Sequence, residues 1–223
     1  MTQFQQYILP LFDKEPCHID NFINSASNQL AYDAISNWPI SWGSKPYELV
    51  LLIYGPASSG KTYLAKIWQN LSKALFITKN IDMLSEELLK CYRAFIIENI
   101  ESWNEEKLLH CFNLINEHRK YLLITTENSS NNFLLPDLSS RINSIIKLSI
   151  TQPDDELMRK LIFKHFSDHS IIIAEQVINY LLVNLPRKFD QIINLLKFIT
   201  HFALVHKRTV TVSLIKSSLK DHL

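Results

Sequence analysis

Residues 48–67, ELVLLIYGPASSGKTYLAKI, constrain the fold more than any other stretch of this chain. The run from Leu49 to Tyr54 is apolar without alternation and stops at Gly55, the pattern of a strand buried on both faces. Helical periodicity begins at Lys61 and continues to Ala74. Between them, Gly55-Pro56-Ala57-Ser58-Ser59-Gly60-Lys61-Thr62 is a complete G-x-x-x-x-G-K-T. In such a loop the backbone N–H groups and the helix N-terminus gather around phosphate oxygens. Lys61 then reaches the outer phosphates, and the Thr62 hydroxyl is a ligand for Mg²⁺. Average usage would give a chain of this length roughly 16 glycines. This one has 3, and two of them stand in the loop, where the backbone needs them.

The strand-then-helix order recurs. Short apolar runs at 75–78, 94–98, 121–127 and 144–150 read as four more strands. Helical patterns at 27–38, near 82–91, at 104–120 and at 135–142 stand before or between them. Alternation of this kind predicts an α/β fold with a parallel five-stranded sheet flanked by helices, its ligands bound at the carboxyl ends of the strands. After Ile150 the pattern changes to four amphipathic stretches, at 151–166, 174–185, 187–205 and 211–221. Thr151 and the acids that follow it suggest a helix start. The β-rich TVTV at 209–212 leaves room for a brief strand, and otherwise a small all-helical domain is expected from about 151.

The acid expected at the end of the third strand is Glu98, within FIIENIE, one methylene longer than the usual Asp and able to face Mg²⁺. Asn99 follows where a water-activating acid commonly stands. An amide cannot accept a proton near neutral pH, so intrinsic hydrolysis of a nucleotide is expected to be slow.

Composition excludes several classes. With 23 Lys+Arg against 22 Asp+Glu and a formal charge of +1, no global field draws the chain to nucleic acid or to an anionic membrane. No apolar run approaches the ~18 residues that a membrane span needs. Cys17, Cys91 and Cys111 are widely spaced and read as reduced packing residues, which suits a cytoplasmic protein. His165 and His169 share a helix face but lack a third ligand, so metal binding there is not expected. The basic clusters 118–120 and 206–208 read most simply as solvated surface, with a contact to DNA phosphates as the lesser alternative. The N-terminal QYILPLF lacks a basic flank on its N-terminal side, which argues against a targeting segment. Taken alone it reads as a strand packed on the core, or as an extended peptide for another protein's groove.

Together these motifs resemble the DnaA family of AAA+ proteins, from about Ile19 onward. IDNFINSASNQLAYDA is similar to that family's first segment, LLIYGPASSGKTYLAK to its phosphate-binding strand, loop and helix, and LLITTE to its sensor I strand, with Glu127 where initiators carry Asp. LPDLSSRI resembles the box VII element that places an arginine finger, here Arg141, and the helical remainder resembles the lid. The chain ends at Leu223 with that lid, without the helix-turn-helix domain of initiators, and ENIE replaces their two acids. Both features resemble the Hda type, regulatory inactivators of the initiator.

The resemblance implies a clamp-binding peptide over 1–12, a P-loop nucleotide-binding domain over 13–150 and a helical lid over 151–223. Gln6, Leu9 and Leu11 would engage the replicative sliding clamp (its beta subunit), with Tyr7 where that peptide form usually has Leu. Gly55, Pro56, Ala57, Ser58, Ser59, Gly60, Lys61, Thr62, Glu98 and Glu127 would surround ATP or ADP with Mg²⁺. At the sensor II position the alignment puts Asp190, with Arg187 one turn earlier as a residue that could reach the phosphates. The implied activity is to bind the clamp and to promote hydrolysis of ATP on DnaA, with Arg141 acting on the partner's nucleotide. A homo-oligomer, absence of sequence-specific DNA reading and absence of a membrane partner complete the expectation. The alternative is an autonomous AAA+ ATPase of helicase-loader type. A small-molecule P-loop kinase is disfavoured by the separate helical part and by the box VII-like setting of Arg141.

Overall fold

A computed structural model describes residues 17–40, 42–78, 84–130 and 133–220 of the 223-residue chain, the side chains of residues 219 and 220 excepted. Its strands are β1 (Val50–Tyr54), β2 (Leu75–Ile77), β3 (Ala94–Ile97), β4 (Tyr121–Thr126) and β5 (Ile146–Ser149). All pairs are parallel, in the order β2-β3-β4-β1-β5. Helices α1 (Gln29–Ser36), α2 (Lys61–Ser72), α3 (Glu86–Cys91), α4 (Glu105–Glu117) and α5 (Pro136–Asn143) belong to this part of the chain. The predicted elements are present, each within a few residues of its expected bounds.

Successive residues of a strand face opposite sides of the sheet, and the cores follow that alternation. Val50, Leu52, Phe95 and Ile97 pack on one side with Phe112 and Ile115 of α4. Leu51, Ile53, Ala94 and Ile96 pack on the other with Ile35 of α1 and Trp68 of α2. Trp42 stacks on Trp68 with ring centroids 4.5 Å apart. β1 is central and its residues Val50–Ile53 are fully buried, which is why its sequence is apolar on every position rather than on alternate ones. Of the cysteines, Cys111 is buried and Cys17 half-buried in these layers. Cys91 is exposed at the end of α3, so it does not pack as the sequence suggested.

Register brings the strand ends together. Tyr54 is opposite Thr126, and Ile97 is opposite Ile124, so Gly55, Glu98 and Glu127 emerge at one edge of the sheet.

Helices α6 (Asp155–Asp168), α7 (Glu175–Asn184), α8 (Phe189–Val205) and α9 (Val212–Lys220) follow β5. They enclose a core of their own, in which Met158, Ile162 and Phe166 meet Leu181, Ile192, Leu196 and Ile215. The cap of α6 is Asp154, whose carboxylate accepts from the Leu157 N–H at 2.6 Å. Thr151 instead donates its N–H to the Ser27 carbonyl at 2.9 Å, tying this part of the chain to the segment before α1. Residues 209–211 form no strand and lead into α9, so the β-rich TVTV is a helix approach. Thr211 supplies the reason, because its hydroxyl accepts from Leu214 N–H and starts the helix.

Candidate functional site

The loop between β1 and α2 holds its shape through two glycines that no other residue could replace without a shift. A Cβ on Gly55 would lie 2.5 Å from the Ile150 carbonyl oxygen. Gly60 has φ +96°, in the left-handed region. That turn sets the N-terminus of α2 against the loop, so that Lys61 begins the helix and Thr62 is exposed on its first turn.

Lys61 is buried, and its Nζ donates to the carbonyls of Gly55 at 2.7 Å and Pro56 at 2.9 Å. Burial pulls its pKa below the ordinary lysine value, while Glu127, Glu101 and Glu98 oppose the shift by stabilising the cation. Glu98 and Glu127 at two strand ends, with Glu101 in the turn after β3, thus act electrostatically on one ammonium. Among the described residues, Ser59 Oγ and Glu98 Oε1 are buried without a hydrogen-bond partner. Two such groups beside a buried cation and a helix N-terminus suit a polar, charged ligand, since burial without a partner costs each about 1–3 kcal/mol.

The end of β3 is fixed by its neighbours. Asn99 has a left-handed backbone (φ 52°), its N–H donates to Thr125 Oγ1 at 3.3 Å, and Trp103 Nε1 donates to the Glu98 carbonyl at 3.0 Å. The strand thus delivers Glu98 half-buried toward the loop and leaves the Asn99 side chain exposed. Glu127, one residue beyond β4, is exposed at the same edge.

Beside the loop lies a largely apolar cavity of about 270 Å³. Phe22, Gly60 and Tyr63 form one wall, and Leu161, His165 and Ile192 of the helical part form the other. Phe22 stacks on Tyr32 at 5.8 Å between ring centroids, and Tyr63 donates to the His18 carbonyl, so the segment before α1 is a rigid side of the cavity. The sequence reading did not assemble this cavity. Its signal was present in α6, where Leu157, Leu161 and His165 recur at intervals of four along one face. His165 Nε2 lies 2.9 Å from Thr200 Oγ1. Burial and the neighbouring His169 push its pKa down to about 4, so the ring is neutral at physiological pH.

The two arginines singled out from sequence sit in different settings. Arg141, in the last turn of α5, is half-buried and makes no ion pair among the described residues. Its helix is fixed by Glu105 of α4, whose carboxylate accepts from the N–H groups of Leu134 at 3.0 Å and Leu135 at 2.8 Å. Arg187 pairs with Asp155 of α6 at 2.6 Å, and Asp190 is exposed in the first turn of α8. Gln6, Leu9 and Leu11 lie outside the described residues.

A parallel sheet in this order, a G-x-x-x-x-G-K-T loop after its central strand and a helical segment closing over that loop define the P-loop AAA+ fold. Domain III of DnaA from Thermotoga maritima superposes with a TM-score of 0.76 at 18% identity, over 93% of this chain and 97% of that one. AMPPCP-bound DnaA from Aquifex aeolicus gives 0.67 at 20% identity, over 85% and 66%. The chain has DnaA-family AAA+ relatives at low identity. The chromosomal replication initiator protein DnaA of Lachnoclostridium phytofermentans is 25% identical over 233 aligned residues, which cover 91% of this chain and 51% of the relative. The chain spans about half the length of the curated relatives it matches. No protein-family profile matches it.

Proposed function

We propose that this chain is a nucleotide-bound AAA+ regulator of chromosomal replication initiation, of the Hda type, which promotes hydrolysis of ATP on a DnaA partner and so limits repeated initiation. The observation that carries this reading is a complete phosphate loop combined with Asn99 at the end of β3. A chain so equipped holds a nucleotide well and hydrolyses it poorly.

In this reading the loop 55–62 and Lys61 hold the phosphates of ATP or ADP, and the base enters the cavity beside Phe22 and His165. The partnerless oxygens of Ser59 and Glu98 fit that ligand, and Thr62 with Glu98 would hold Mg²⁺. The ion would supply charge neutralisation between phosphate oxygens. The own nucleotide then serves to fix the helical part, residues 151–223, as a lid over residues 13–150. Arg187, held by Asp155, keeps that lid's α6 and α8 in place rather than reaching the phosphates.

The outward task falls to Arg141. Its guanidinium has no competing carboxylate among the described residues, and the Glu105 fork fixes the start of its helix. A positioned arginine stabilises charge on a departing phosphoryl group without having to move. The peptide Gln6, Leu9 and Leu11 would tether the chain to the sliding clamp, concentrating it where initiation has just occurred.

The test mixes the purified protein with clamp loaded on DNA and ATP-loaded DnaA and follows the loss of ATP. Wild type accelerates that loss, Arg141→Ala does not, and Gln6→Ala with Leu9→Ala slows it only when the clamp is present. An inert wild-type protein, or an equally active Arg141→Ala, rejects the reading.

A further inference from the structure

The charge of this chain is near zero in total and far from evenly placed. Residues 191–220 contain no Asp or Glu, yet hold Lys197, Lys207, Arg208, Lys216 and Lys220. With Asp190 of its first turn included, the hairpin of α8 and α9 therefore carries a formal +4, and the remaining 18 basic against 21 acidic residues carry −3. That asymmetry is invisible in the overall +1.

The surrounding helices do not cancel it. On α6 and α7, Glu156 pairs with Lys160, Asp168 with Lys164, Glu175 with Arg159 and Asp155 with Arg187. Asp154 is occupied as the α6 cap. Of the described acids of the helical part only Asp190 makes no ion pair or capping bond among the described residues, and it stands at the opposite end of α8 from Lys207 and Arg208. Lys197, Lys207, Arg208 and Lys216 are all exposed and make no ion pair among the described residues. Lys216 lies over the Tyr180 ring, 5.6 Å from its centroid, a contact that leaves its charge uncancelled.

The turn between the helices concentrates this charge. Lys207 and Arg208 border an open depression of about 470 Å³ whose other walls include the hydroxyls of Thr209, Thr211, Ser213 and Ser217. Cations interleaved with small hydroxyl donors are what a phosphodiester backbone requires, because each phosphate takes one charge and several hydrogen bonds. An anionic membrane fits less well, since the apolar side of α9 (Leu214, Ile215) is buried in the helical core and only the exposed Leu204 and Val205 at the end of α8 offer a small apolar patch to insert. A single strand would want an exposed aromatic platform, and Phe198 and Phe202 are half-buried.

We infer that the α8–α9 hairpin is a docking surface for the backbone of duplex DNA, read without regard to sequence, at a place separate from the phosphate loop. Three or four phosphates come within its reach. Binding is weak, with Kd on the order of 10⁻⁵ M, and strongly dependent on salt. Such a contact would orient a molecule already tethered near DNA rather than recruit it from solution.

Fluorescence anisotropy of the full chain with a labelled duplex of about 30 base pairs tests this, and three or four contacts predict that affinity falls roughly 40- to 150-fold between about 50 and about 200 mM salt. Lys207→Glu with Arg208→Glu should weaken binding by more than about tenfold and flatten the log–log salt slope by about 2. Arg119→Glu, a charge reversal in the other basic cluster, should change affinity less than about twofold, since it removes no contact in the hairpin. If the double variant fails to fold by circular dichroism, Lys197→Gln and Lys216→Gln each serve instead, with an expected loss of slope of about 0.9. No duplex binding at low salt, equal binding by the hairpin variants, or an equal loss in Arg119→Glu overturns the inference. So does binding to phosphatidylserine vesicles without binding to the duplex. None of these outcomes depends on Arg141 or on hydrolysis, so the proposed regulatory function stands or falls separately.

Discussion

The strand edge around Gly55 and the α8–α9 hairpin treat charge in opposite ways. At the strand edge one lysine is buried, held by two carbonyls and stabilised as a cation by three acids, and two buried polar atoms lack a partner among the described residues. In the hairpin the cations are exposed and make no ion pair among the described residues. Desolvated charge is strong and intolerant of displacement, whereas solvated charge is weak, additive and screened by salt. Substitutions at the strand edge and around it should therefore act nearly all-or-none, and those in the helical part in small steps.

The sharpest way to test that contrast is Arg141, half-buried in the last turn of α5 and so in neither region. Arg141→Ala should lower the clamp-dependent loss of ATP from DnaA by about 10³-fold, the lower end of what such arginines contribute. The fold itself should be unaffected, because no ion pair among the described residues is lost. A loss of only a few-fold would move Arg141 into the class of solvated, interchangeable charges.

Asn99 offers the converse experiment. Asn99→Asp restores an acid at the end of β3 in a left-handed conformation that Asp tolerates. Single-turnover hydrolysis by the isolated protein should rise by about 10²-fold, the smaller share that a general base supplies. An unchanged rate would mean that the side chain at this position does not reach the water. Gly55→Ala probes the same edge through the backbone. With a Cβ placed 2.5 Å from the Ile150 carbonyl, a loss of about 2–3 kcal/mol is expected in denaturant unfolding.

The positions of Gly55 and Asn99 were legible in the sequence because local chain geometry sets them, whereas Arg141 was singled out only through the resemblance of LPDLSSRI to a box VII element. Buried strands announce themselves as unbroken apolar runs, and a phosphate loop needs its glycines at fixed spacing. The cavity was not legible, because its two walls come from Phe22 and Tyr63 on one side and from Leu161, His165 and Ile192 on the other, far apart in the sequence. Nor was the pairing of Arg187 with Asp155, since an ion pair between two helix starts leaves no periodic trace. Thr151 shows a subtler failure. Both Thr151 and Asp154 are good cap types at the head of α6, and only the Ser27 carbonyl, far away in sequence, decides which one is free to cap.

In the helical part the expected effects are smaller. His165 is buried and neutral, with a folded pKa of about 4 against 6.5 unfolded. Its contribution is fully present above about pH 6.5 and is lost as pH falls toward 4, because the unfolded chain then binds a proton that the folded one refuses. Wild type should lose stability over that window. His165→Gln, which keeps a polar partner for Thr200, should lose less over the same interval in pH-dependent thermal melts. Equal slopes in both proteins would assign the acid sensitivity to the carboxylates instead.

The smallest expected effect separates the two cap candidates. Asp154→Ala removes the acceptor for the Leu157 N–H and the negative charge at the positive end of α6, so about 1 kcal/mol should be lost in chemical denaturation. Thr151→Ala keeps the backbone bond from residue 151 to Ser27, and its hydroxyl contact at 3.4 Å is too long to add much, so its loss should stay within about 0.5 kcal/mol. A reversed order would return the helix start to Thr151. It would also mean that α6 is held by its link to the segment before α1 rather than by its own first turn, so that the helical part depends on the sheet for stability and cannot answer to small local changes alone.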